Sequence, residues 1–64
     1  MAQLYTYRCW FKDDTMMMVC DESDAAAKAQ AEKRSRENLK EAYFANKRER
    51  DRASTVKTVE NIDL

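Results

Sequence analysis

The sequence predicts a small α+β domain: a ββαβ two-layer fold with an antiparallel hairpin, a C-terminal strand and one long helix packed on one face of the sheet. Three observations lead there. An aromatic, strand-favouring segment is followed by a methionine-rich one across a pair of aspartates; a long run of strong helix formers comes next; a β-branched segment closes the chain. Sixty-four residues allow one domain, 1–64, with one thin core.

Residues 4–12 (Leu-Tyr-Thr-Tyr-Arg-Cys-Trp-Phe-Lys) carry the first strand and residues 15–20 (Thr-Met-Met-Met-Val-Cys) the second. Asp13-Asp14 between them suits a tight turn, although the usual glycine is missing. A two-residue turn pairs Phe11 with Met16, Cys9 with Met18 and Tyr7 with Cys20, and a four-residue turn leaves the faces unchanged. Tyr5, Tyr7, Cys9, Phe11, Met16, Met18 and Cys20 then share one face; Trp10 meets Met17 and Arg8 meets Val19 on the other.

Asp21-Glu22-Ser23-Asp24 marks a helix start, with Ser23 as N-cap and the carboxylates at the positive end of the helix dipole. From about 24 to 53 the chain favours helix, and Glu32/Arg36 falls at the supportive i,i+4 spacing. Ala27, Ala31, Ser35, Leu39, Ala42 and Ala53 form a narrow face of mostly small side chains, suited to lying close on a sheet. Unbroken, such a helix is ~45 Å long, well beyond strands of ~20–27 Å, so it overhangs the sheet or bends near Asn46. Residues 55–62 (Thr-Val-Lys-Thr-Val-Glu-Asn-Ile) form the last strand.

Twelve basic and twelve acidic residues cancel, which argues against a dedicated nucleic-acid binder. The charges are nonetheless segregated: residues 1–24 have a net charge of −3 and residues 25–57 a net of +5. Glycine, proline and histidine are absent, which removes glycine phosphate loops, histidine triads and histidine metal ligands. The expectation is a non-enzyme with no metal and no cofactor. No apolar run is long enough for a membrane span, and the N-terminus lacks a signal-peptide layout. With Cys9 and Cys20 expected to be reduced and buried, the expected compartment is the cytoplasm.

Arg8, Trp10, Met17 and Val19 are the candidate protein-interaction residues, because aromatic, methionine and arginine side chains together favour interface centres. The opposite arrangement, with the helix on this face and the tyrosines outside, would also leave an aromatic sheet face open. Lys33, Arg34, Arg36, Lys47, Arg48, Arg50 and Arg52 are the candidate phosphate contacts, although the acidic residues among them also fit ordinary helix solvation.

The hairpin, the Asp21–Asp24 helix start, the alanine-rich helix and the closing Val56-x-x-Val59-Glu60 strand together resemble the layout of small phage and prophage accessory proteins. The resemblance implies a modulator of a host protein, such as a host RNA polymerase inhibitor, working in the host cytoplasm; it carries no motif from which a site residue transfers. The expected function is therefore that of a small protein-binding module. The alternatives are a nucleic-acid-associated regulator using the basic helix and a structural subunit that forms a homo-oligomer.

Overall fold

Alternation along Tyr5–Phe11 sets the architecture. Every second residue from Tyr5 onward (Tyr5, Tyr7, Cys9, Phe11) is an apolar or aromatic side chain, and in the structure the last three of these are buried. The computed structural model describes residues 3–39 and 46–63. It contains β1 (Tyr5–Phe11), β2 (Met16–Asp21), α1 (Asp24–Leu39), α2 (Lys47–Ser54) and β3 (Val56–Asn61). β1 lies at the centre of a three-stranded antiparallel sheet of order β2-β1-β3, with the longer helix packed on it.

The hairpin turn has three residues, Lys12-Asp13-Asp14. Phe11 N–H donates to the Thr15 carbonyl at 2.8 Å, and Asp14 N–H donates to the Phe11 carbonyl at 3.0 Å. Asp14 takes a positive φ of 71°, a conformation that aspartate tolerates better than most residues without glycine's freedom. Asp13 Oδ1 accepts from both the backbone N–H and the hydroxyl of Thr15, which holds the turn as an Asx motif. An odd-numbered turn ending in a left-handed residue is the next commonest hairpin after the two-residue one.

That turn corrects the expected register. The pairs are Tyr7 with Val19, Arg8 with Met18, Cys9 with Met17 and Trp10 with Met16. Against the two- or four-residue alternatives β2 is shifted by one, and a one-residue shift sends every side chain of a strand to the opposite face. Met17 and Val19 therefore join Tyr7, Cys9 and Phe11 on the covered face, and Met16, Met18 and Cys20 join Trp10 on the other.

β3 reaches the same face by a second irregularity. Trp10 pairs with Thr58 but Phe11 pairs with Val56, so Lys57 is the extra residue of a bulge. The bulge lets Val56 and Val59, three positions apart, both point toward the core, where simple alternation would separate them.

α1 begins at the expected cap: Ser23 Oγ accepts from Ala26 N–H at 3.2 Å. Ala27, Ala31 and Ser35 are buried. The lack of bulk at Ala27 lets the helix backbone approach the sheet, with Cys9 Sγ 3.8 Å from the Ala27 carbonyl. The core is Tyr7, Cys9, Phe11, Val19, Ala27, Ala31 and Val56, with Tyr5, Met17 and Val59 packed against it. Burial of a side chain such as Phe11 contributes roughly 1.5–3 kcal/mol.

The expected helix over 24–53 is two helices. α1 is described as far as Leu39, and α2 starts after Asn46, whose extended backbone and side-chain carbonyl, accepting from Glu49 N–H at 3.0 Å, make a new N-cap. The expected place of Ala42 on the helix face, and of helix through Ala45, lies outside the described residues. α2 is held to the rest of the fold by Ser35 Oγ donating to the Ala53 carbonyl at 2.8 Å. Val56 N–H donates to Glu32 Oε2 at 2.9 Å, tying β3 to α1.

Candidate protein-interaction surface

The sheet face turned away from the helices is built in cross-strand rows. Met16, Trp10 and Thr58 form one; Met18, Arg8 and Glu60 the next; Cys20, Thr6 and Ile62 the third, with Ile62 N–H donating to the Thr6 carbonyl at 3.0 Å. Leu4, two residues ahead of Thr6, continues the same alternation. The exposed large hydrophobic side chains among the described residues are Leu4 (62 %), Met18 (50 %), Met16 (43 %) and Ile62 (40 %); Met16 and Met18 lie on this face, and Leu4 and Ile62 adjoin its far end, just before β1 and just after β3. Isolated exposed hydrophobics are ordinary, but a contiguous set on one sheet face marks an interaction surface.

Trp10 stands on the central strand at the hairpin end of this face and is half-buried. Its indole Nε1 donates to Glu60 Oε1 at 2.8 Å, which fixes the ring against β3. The other oxygen of Glu60 lies 4.0 Å from Arg8 Nη1. Arg8 Nε is a buried donor with no hydrogen-bond partner among the described residues. One carboxylate thus orients both the tryptophan and the arginine, the two side chains most enriched at interface centres alongside tyrosine.

Of the four residues expected here, the structure keeps Arg8 and Trp10 on the open face and removes two. Val19 is buried beneath the helix and Met17 packs against the core, because of the three-residue turn. Their places are taken by Met16 and Met18, which sequence reading put on the covered face. The Asp13-Asp14-Thr15 run is compatible with a three-residue loop closed by an Asx turn and a left-handed Asp, but it does not select that loop over one of two or four residues.

The cysteines are separated by the same shift. Both are free thiols, Cys9 buried and Cys20 exposed, on opposite faces of the sheet. The expected burial of Cys20 is therefore corrected. Burial pushes the Cys9 thiol above its ordinary value, with the Glu32 carboxylate adding to the effect, so it is a packing group and a poor nucleophile.

The basic side chains occupy the helical layer. Lys33, Arg34 and Arg36 are exposed on α1, and Lys47, Arg48, Arg50 and Arg52 on α2. Arg36 pairs with Glu32 at 3.9 Å, the expected i,i+4 contact. Arg36 and Arg50 come together around a cleft of about 370 Å³ with Leu39, Asp51 and Ser54. Lys47, Arg48 and Arg52 line a second cleft of about 350 Å³, joined by Lys12 of the hairpin turn, whose carbonyl accepts from Arg52 Nη2 at 3.0 Å. Lys33 and Arg34 border neither cleft, and Lys12 was not among the expected phosphate contacts. No helix among the described residues is long and apolar enough to cross a membrane.

Comparison with protein-family models, with curated proteins and with solved structures yields no match.

Proposed function

We propose that this chain is a non-enzymatic protein-binding module that engages its partner through the open sheet face that carries Trp10 and Arg8. The observation that carries the reading is the exposure of Met16 and Met18, with Leu4 and Ile62 adjoining, on the face that holds the Glu60-oriented pair of Trp10 and Arg8. An apolar platform beside the part-exposed guanidinium of Arg8 suits a protein surface that supplies side chains for the methionines and a carbonyl or carboxylate for Arg8. The layout's resemblance to phage accessory proteins supports a host protein in the cytoplasm as the partner, and a modulator or inhibitor as the role.

Trp10→Ala tests this. Trp10 lies outside the buried core, so the substitution should leave the circular dichroism spectrum and cooperative unfolding in place. Affinity for the partner captured from the native host should fall by about 2 kcal/mol or more, the usual cost of removing a central anchor. A folded Trp10→Ala protein that captures the same partner at unchanged affinity would sink the reading. The second reading, contact with nucleic-acid phosphates, is favoured by one observation, the convergence of Lys12, Lys47, Arg48 and Arg52 on one cleft. It requires binding that weakens steeply with salt and survives Trp10→Ala.

A further inference from the structure

Among the described residues no strand pairs with the outer edge of β2, and we infer that this edge pairs with the β2 edge of a second copy of this chain, antiparallel about a two-fold axis through Met18, to give a continuous six-stranded sheet. Phe11 and Thr15 are the hydrogen-bonded pair that closes the hairpin, and in an antiparallel ladder such pairs alternate with non-bonded ones. Cys9–Met17 and Tyr7–Val19 are then the bonded pairs, and Met16, Met18 and Cys20 direct their backbone N–H and C=O groups away from β1. β2 is an outer strand of the sheet, so this row of donors and acceptors is the template that an extended strand completes.

The two edges of the sheet differ in how they are guarded. β3 carries Lys57 in a bulge, held by an ion pair to Asp14, and its first N–H is taken by the Glu32 carboxylate. A bulge and an edge lysine are the devices by which sheets avoid edge-to-edge pairing. β2 has neither: its one charge, Asp21, sits at its last position, Met16-Met17-Met18-Val19-Cys20 is uncharged and without proline, and its pairing with β1 is unbroken.

The occupant follows from self-complementarity. A two-fold axis at Met18 places Met18 against its own copy, Met16 against Cys20 and Met17 against Val19, so every seam pair from 16 to 20 is uncharged and apolar. All three outward-facing residues are used, giving about six backbone hydrogen bonds by the two-per-pair rule. On the helix side the Met17–Val19 contacts extend the two cores toward each other; on the open side the Met16, Met18 and Trp10 platforms become one surface. The strand edge is distinct from the Trp10 face, so the inference stands apart from the partner reading above.

Sedimentation equilibrium on the full chain tests it. The expected result is a particle of twice the chain mass, reduced to the chain mass by Met18→Lys and by Met18→Pro with the fold retained, and left dimeric by Trp10→Ala. Proline at this position removes an N–H that points outward and spares the β1 ladder. Paired strands bring facing Cα atoms to about 5.5 Å, within the roughly 4.4–6.8 Å that a disulfide spans, so Met18→Cys in a Cys20→Ser background should oxidise to a covalent dimer. Should the lysine and proline variants unfold, that cross-link decides alone. A wild-type chain that stays monomeric at hundreds of micromolar overturns the inference. So does a dimer that persists in folded Met18→Pro, or one lost in Trp10→Ala.

Discussion

Asp14 shows how one residue can set the face of a strand. Its positive φ closes a three-residue turn, and its carboxylate pairs with Lys57 on β3, tying the turn to the far edge of the sheet. The hydrogen bond and charge of Lys57 hold the Asp14 carboxyl below its ordinary value. A group depressed in this way adds stability above its unfolded value of roughly 3.9 and loses it as pH falls through the lower folded value. Asp14→Asn keeps a residue that tolerates the left-handed conformation and removes the charge. Urea melts should therefore show a small deficit at pH 7 that closes once the wild-type carboxyl is protonated, and the deficit should shrink in high salt. Asp14→Val should be worse at every pH, because a β-branched residue resists the conformation itself. Equal pH dependence in wild type and Asp14→Asn would show that the ion pair contributes nothing.

At the scale of the elements, what sequence could show follows from local chemistry. The strands and the start of α1 were legible because aromatic and β-branched runs and the Ser23 cap act over a few residues. The faces of β2 were not, because they depend on the parity of the turn, and Asp13-Asp14 fits loops of two, three or four residues about equally. The bulge at Lys57 was hidden for the same reason: nothing in Val-Lys-Thr-Val announces an extra residue until its partner strand is known. The bend near Asn46 was legible as a conflict of lengths, and Asn46 resolves it by capping α2. α2 has eight residues, too few to hold a helix by propensity alone. Asn46→Ala should cost about 1 kcal/mol in denaturant unfolding, and Asn46→Asp should restore most of it. An Asn46→Ala protein as stable as wild type would mean that the packing of Ala53 and the Ser35 hydrogen bond hold α2 without its cap.

The whole molecule is two layers, and one layer leaves a sheet face uncovered. The small residues of α1 show which side of the helix packs, but not which face of the sheet it covers, and the sequence leaves both arrangements open; the structure puts the helix over Tyr7 and Cys9, which leaves Trp10 and Arg8 on the uncovered side with Met16 and Met18 in place of Met17 and Val19. The placement of the helices also separates two chemistries. Basic side chains line the clefts of the helical layer, and the apolar platform occupies the opposite face of the sheet. The two cysteines report that sidedness directly, one from each face. A short pulse of a thiol-alkylating reagent on the native Met18→Lys protein, in which the β2 edge is left unpaired, read by mass spectrometry, should put one label on Cys20 within seconds and none on Cys9, which should react only when the chain is unfolded in denaturant. Native protection of Cys20 along with Cys9 would contradict the account, since it would return β2 to the even-turn register and take Met16 and Met18 off the Trp10 face.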